Sequence, residues 1–192
     1  PNREHHVDLV GFPMFVLANI DYGNTSVLPN WSARRQSDVT GEELLHRMKK
    51  HHIQRALLNP DLVSTLRQHM ETKHLTAPIH TLFSGGGPVY PDMAAWFTHQ
   101  NILAPGGQGF VSVYGSTEAE PIAWIRANDI SQESWHNMLG QMPSRGILTG
   151  KPTNDIHIRI QSDEIQVSGD HVVQGYMNPE DNASTKIIDT DG

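Results

Sequence analysis

The chain has 192 residues, 37% of them hydrophobic, with a formal net charge of −7 and no cysteine. Lack of cysteine excludes disulfides, thiolate zinc sites and a cysteine nucleophile, and the 14 lysines and arginines are too scattered to form a basic face for a polyanion, so no nucleic-acid partner is expected. No apolar run approaches the roughly 18 residues of a membrane helix, and the opening Pro1-Asn2-Arg3-Glu4-His5-His6 has no apolar h-region, so the expectation is a cytoplasmic protein without a membrane span.

Along the chain, strand and helix signals alternate. Thr25 to Leu28 is a short β-branched run. Thr40-Gly41-Glu42-Glu43 is a capping box that starts a helix to about His51, with Leu44, Leu45 and Met48 on one stripe and Arg47, Lys49 and Lys50 on a solvated face. Ile53 to Leu58 reads as a buried strand, and Pro60 suits the first turn of a helix carrying Leu62, Val63, Leu66 and Met70. A strand at Ile79 to Phe83 follows, then a helix from about Pro91 with Met93, Ala94, Trp96 and Phe97, then a strand from Gly109 to Tyr114. Strands separated by helices of this length imply a parallel sheet, an α/β architecture with flanking helices, and ligands in such sheets collect at the carboxyl ends of the strands. Beyond about Arg145, Ile156 to Ile160 and Glu164 to Val167 alternate without a helix between them, which reads as an antiparallel pair joined tightly through Gln161-Ser162-Asp163.

Two glycine motifs fall at strand ends. Ser84-Gly85-Gly86-Gly87-Pro88 permits close backbone approach to a flat ligand and positive φ, although an ordinary turn has the same composition. Val113-Tyr114-Gly115-Ser116-Thr117-Glu118 presents a hydroxyl pair and a carboxylate beyond a glycine. Thr117 is suited to a phosphoryl oxygen and Glu118 to a magnesium ion bridging phosphates; the bland alternative is a helix N-terminus, where a carboxylate offsets the macrodipole. Tyr114 reads either as a core aromatic or as a stacking platform for a purine. Glu120 reads as a solvated neighbour, and Trp96 and Trp124 as core. His5-His6 and His51-His52 are adjacent pairs whose side chains diverge, so they are not read as metal ligands; His46 and His136 read as partly exposed helix residues.

Taken together these blocks resemble the AMP-forming acyl-activating enzymes, the superfamily of acyl-CoA synthetases, luciferases and nonribosomal adenylation domains. Ser84 to Pro88 looks like the adenine-binding glycine loop and Tyr114 to Glu118 like the aromatic-glycine-x-threonine-glutamate motif. Asp163 to Gly169, followed by Gly175-Tyr176-Met177-Asn178-Pro179, is similar to the glycine-glutamate-leucine segment and its glycine-tyrosine turn. Asp8 to Phe15, Gly23 to Pro29 and Thr117 to Ala123 are similar to the branch of fatty acyl-CoA synthetase-like proteins that includes olefin-pathway β-lactone synthetases.

The resemblance implies ATP-dependent activation of a fatty or related acid as an acyl adenylate, with release of pyrophosphate. It places nucleotide binding on Gly85, Gly86, Gly87, Pro88, Tyr114, Gly115, Ser116 and Thr117, catalysis on Thr117 and Glu118, and magnesium on Glu118, with Gly115 leaving room for the acyl chain. Ser112 stands where family members often carry a side-chain amide that reads adenine. Val16 stands where an aromatic or histidine contacts the acyl carboxylate or gates the pantetheine channel, which weakens the case for ordinary thioester formation and leaves coenzyme A as one possible acceptor. Phe15, Val16 and Ile20 read as an acyl-pocket lining or as a buried core helix.

Against the family pattern the chain corresponds to a middle part of the N-terminal domain: 1–145 an α/β subdomain and 146–192 part of a small antiparallel β-barrel. The phosphate loop, the ribose-binding motif expected after Thr190-Asp191-Gly192, and the C-terminal domain with its lysine would be its partners within one enzyme. The isolated chain is expected to be inactive. A non-catalytic nucleotide-binding or assembly domain on the same scaffold is the competing expectation.

Overall fold

A computed structural model describes residues 4–31, 37–140 and 145–185; Pro1 to Arg3 of the opening segment and the terminal Thr190-Asp191-Gly192 lie outside the described residues. Seven strands form the main sheet in the order β2-β1-β3-β4-β5-β6-β7. The first five, β1 (Val7–Val10), β2 (Thr25–Val27), β3 (Arg55–Leu58), β4 (Thr81–Ser84) and β5 (Gly109–Ser116), are parallel. The last two, β6 (Ala119–Arg126) and β7 (Lys151–Pro152), run antiparallel to their neighbours.

The helices form where local chemistry starts them. In α2 (Gly41–Lys50) the Thr40 side chain accepts from the Glu43 N–H and the Glu43 carboxylate accepts from the Thr40 N–H, at 3.2 and 3.0 Å. α3 (Pro60–Lys73) is capped by Asn59, whose Oδ1 accepts from the Leu62 N–H, with Pro60 supplying the first-turn φ. α4 (Pro91–His99) also opens on proline, and α5 (Gln132–Gly140) follows Ser131, whose hydroxyl accepts from the Ser134 N–H. The apolar stripes of α2, α3, α4 and α5 cover one face of the sheet in a single core that includes Leu44, Leu66, Met70, Phe97 and Trp135. Among the described residues the other face carries one helix, α1 (Phe15–Tyr22).

A separate two-stranded sheet pairs β8 (Ile156–Gln161) with β9 (Glu164–Gly169). Ser162 and Asp163 both take positive φ, 51° and 63°, the conformation a two-residue hairpin requires. A small cluster of Ala119, Ile122 and Ile156 with Val167 and Val172 packs this hairpin against β6. The chain then enters α6 (Pro179–Thr185). No helix among the described residues is long and apolar enough to cross a membrane.

The mixed α/β sheet with flanking helices and a small antiparallel sheet is the expected architecture. Three readings are corrected. Thr117-Glu118 is not a helix start: it is the turn of the β5–β6 hairpin, whose register is bulged between Tyr114 and Ser116. Trp124 is not core but 43% exposed, because its alternation on β6 sends it to the face opposite the helical layer. Ile20 is 69% exposed, so α1 is not a buried core helix.

Candidate functional site

The order β2-β1-β3 reverses direction at β1, since β2 lies on one side of it and β3 on the other. A crevice at the carboxyl ends of strands beside such a reversal is where ligands bind in open α/β sheets. Here the loop after β1 brings Phe12 to the loop after β4: a Cβ built on Gly86 would lie 3.0 Å from Phe12 Cε1.

Below that edge, between the sheet and α1, lies a cavity of about 360 Å³. Its floor is one alternating set of strand residues: Leu57, Phe83, Val111 and Val113, joined by Trp124 across the hairpin. Phe12, Phe15 and Ala18 form the roof, and Gly85 and Pro121 reach it from the carboxyl edge. Phe15 is therefore a lining residue, whereas Val16 and Ile20 are not among those that line it.

The cavity is apolar along its middle and charged at the end far from Gly85. Asp8 and Arg55 are in-register neighbours, and the guanidinium donates from Nε to Oδ1 at 2.7 Å and from Nη2 to Oδ2 at 2.6 Å. Asp8 is 1% exposed. On the roof, Asn19 is buried and its amide donates to Ser26 Oγ at 2.9 Å. Glu120, expected to be solvated, is half-buried and lines both this cavity and a broader groove of about 720 Å³ along β6 and β7. Burial raises its carboxyl above the ordinary range.

The two glycine motifs meet at the carboxyl edge. Ser84 pairs with Ser112, which carries Gly85 alongside Val113 and Gly86 to the level of Tyr114. Gly85 packs so tightly on the Val113 carbonyl that a side chain there would clash, and Gly86 has φ +72°. Tyr114 is exposed and points to the opposite side of β5 from Val113. The structure thus brings Gly85, Gly86 and Tyr114 together, but of the residues expected to bind nucleotide only Gly85 lines the cavity; Gly86, Gly87, Pro88, Tyr114, Gly115, Ser116 and Thr117 do not. A Cβ on Gly115 would come within 2.9 Å of the Ala119 carbonyl oxygen, so the hairpin itself requires that glycine.

Glu118 sits on the hairpin turn and is held from the far side. The Tyr176 hydroxyl donates to its Oε1 at 2.7 Å, and the Val173 N–H donates to its main-chain oxygen at 2.7 Å. Tyr176 is itself fixed by its N–H donating to Asn182 Oδ1 at 2.8 Å. Sequence reasoning missed this partner; the Gly175-Tyr176 turn was visible, but nothing in spacing links it to Glu118 across 58 residues. Metal-binding carboxylates are characteristically oriented by such outer hydrogen bonds, and one carboxylate suffices for magnesium that also binds phosphates. Among the described residues no group of three or more His, Asp or Glu side chains forms a metal cage.

No family model matches the chain. It is 25% identical over 203 residues to an olefin beta-lactone synthetase of Stenotrophomonas maltophilia, covering 96% of this chain and 35% of that protein. The amide bond synthetase McbA of Marinactinospora thermotolerans superposes with a TM-score of 0.70 at 17% identity, over 95% of this chain and 37% of that one. O-succinylbenzoate coenzyme A synthetase of Bacillus subtilis, in complex with ATP and magnesium ion, does so with a TM-score of 0.68 at 19% identity, over 98% and 37%. The chain has the adenylate-forming fold. It spans about a third of the length of these relatives. The cavity and the two glycine motifs adjoin at Gly85 and Val113.

Proposed function

We propose that the chain is part of an ATP-dependent carboxylate-activating ligase that forms an acyl adenylate from a fatty or related acid and releases pyrophosphate. The observation that supports this best is an apolar cavity whose mouth, at Gly85 and Val113, adjoins the exposed Tyr114 and the hairpin turn carrying Thr117 and Glu118. An acid seated in the cavity presents its carboxylate at the strand ends, and a nucleotide laid along Gly85 to Pro88 and Tyr114 presents its α-phosphate there. The carboxylate attacks that phosphorus and pyrophosphate leaves, so the protein's contribution is positioning and charge neutralisation.

In this reading Tyr114 and the loop Gly85-Gly86-Gly87 hold the adenine, with Pro88 and Ser116 beside the nucleotide, the Thr117 hydroxyl holds a phosphate oxygen, and Gly115 leaves room for the acyl chain. Glu118, oriented by Tyr176, holds magnesium. The bound metal supplies charge neutralisation at the phosphates. The subdomain division at about residue 145, a cytoplasmic setting and the participation of further parts of a longer enzyme belong to the same proposal, as does inactivity of these 192 residues alone. The likeness to olefin beta-lactone synthetase favours an internal hydroxyl as final acceptor; coenzyme A is the other candidate.

The test is pyrophosphate release from ATP with a panel of fatty and hydroxylated acids, in the natural reading frame that holds these residues. Glu118→Gln is expected to lower kcat about a hundredfold, the scale of losing one transition-state charge stabiliser, with little change in melting temperature. Normal kinetics across a magnesium titration would remove Glu118 from the metal site, and no acid-dependent pyrophosphate release would remove the ligase reading.

A further inference from the structure

The end of the cavity far from Gly85 is built for something other than hydrocarbon. Asp8 and Arg55 lie in one row of the sheet with Thr81, and the Thr81 hydroxyl accepts from the Gln108 N–H at 3.0 Å, which brings Gln108 to line the same end. Four residue steps along β4 lead from Thr81 in this row to Gly85 at the mouth, about 13 Å. An apolar pair at positions 8 and 55 would serve an all-carbon ligand better, because a desolvated ion pair is commonly no more stabilising than hydrophobic residues of the same volume.

The pairing is also incomplete in a useful way. Arg55 engages Asp8 through its Nε and Nη2 edge. Its Nη1 and the side-chain amide of Gln108 have no protein partner among the described residues, and with Arg55 19% exposed and Gln108 exposed a ligand there takes the place of water. A planar guanidinium carries five donors in a fixed fork, so donors remain for a ligand. Because Asp8 already neutralises the guanidinium, the end is close to electrically neutral. A ligand carboxylate there would lie beside the Asp8 carboxylate, whereas a neutral oxygen accepts from Arg55 without that repulsion.

We infer that the Asp8–Arg55 end of the cavity is a recognition site for a neutral oxygen substituent, a hydroxyl or carbonyl, on the distal part of the acid's carbon chain. The inference rests on the reading of the cavity as the acid's seat, and it names the class of acid: medium-length, with a polar uncharged tail, in preference to a plain saturated or a dicarboxylic one.

Isothermal titration of the protein from the natural reading frame that holds these residues, with decanoic acid, ω-hydroxydecanoic acid and decanedioic acid, tests it. The hydroxy acid is expected to bind about tenfold more tightly than decanoic acid, the scale of one hydrogen bond to a charged group, with the dicarboxylic acid weakest. The double variant Asp8→Leu/Arg55→Met, which removes both charges together, is expected to bind decanoic and hydroxydecanoic acids equally. Equal or tighter binding of decanoic acid by the wild type overturns the inference, as does a preference that survives in the double variant, or no binding of any of the three. The wild-type series decides the matter even if the double variant does not fold. Pyrophosphate release in the natural reading frame separates the two readings: selective binding without it leaves the recognition site standing and removes adenylation, and release that is indifferent to the tail does the reverse.

Discussion

The two faces of the main sheet are made by alternate residues of the same strands, yet they are treated in opposite ways. On one, Leu9, Ala56, Leu58, Leu82 and Phe110 are at most 1% exposed beneath four helices. On the other, Leu57, Phe83 and Val113 are only partly buried and, with the buried Val111, line a cavity under the eight-residue α1, whose Leu17 and Ile20 are themselves exposed. The first face is where hydrophobic burial is spent on stability. The second is left unfilled, and the same apolar residue types there make a binding surface. Hydrophobic composition alone does not distinguish the two; what lies over each face does.

That contrast gives the largest expected effect. Phe110 stacks on Phe97 at 5.8 Å between ring centroids and is 1% exposed, so Phe110→Ala is expected to cost about 3–5 kcal/mol in urea unfolding. Phe83→Ala, one strand over but on the cavity face, is expected to cost about 1 kcal/mol, since part of its ring already lacks packing partners; its main effect should be weaker acid binding. Equal costs for the two would mean that the cavity face is packed in solution and the division between faces is wrong.

How much of this was legible follows the same division. The helices over the packed face announce themselves: the Thr40 to Glu43 box, Pro60 and the Leu62, Val63, Leu66, Met70 stripe all stand where expected. Both glycine motifs fall on the carboxyl edge for the reason anticipated, the end of parallel strands. What escaped is what depends on tertiary pairing. β6 contains Pro121, which argues against a strand reading, and its hairpin turn Thr117-Glu118 has none of the glycine or asparagine that marks tight hairpins. Without β6 there was no way to see that Trp124 and Glu120 belong to the cavity face. Nor does spacing reveal that Asp8 and Arg55 are neighbours, because parallel register brings together residues 47 apart.

On the packed side the next effect is local. Thr40→Ala removes the cap of α2, and a loss of about 1 kcal/mol is expected. The cap also carries a pH signature. The Glu43 carboxyl is held below its ordinary range first by the Thr40 N–H and then by the Thr40 hydroxyl. A depressed folded pKa contributes stability that is present above the unfolded value and is lost as pH falls through the folded one. The Thr40→Ala deficit should therefore narrow on acidification, as followed by helical circular dichroism against pH. A deficit independent of pH would show that the hydroxyl acts only on the backbone and not through Glu43.

The smallest effect belongs to the cavity side and has the opposite sign. Glu120 is half-buried without a charged partner among the described residues, and desolvation alone raises its pKa. A raised acid means that the folded chain binds the proton more tightly than the unfolded one. The burial penalty is thus absent below the unfolded carboxylate pKa and grows as pH rises, reaching its full size above the folded pKa. Glu120→Gln keeps the shape and removes the charge, so it should match the wild type at acid pH and exceed it in melting temperature at neutral pH. The gain should be smaller than the loss in Thr40→Ala, because solvent still reaches much of the carboxylate. If Glu120→Gln is instead less stable at neutral pH, the carboxylate has a favourable partner in solution, and the cavity wall it shares with Trp124 is closed by a charge rather than left open.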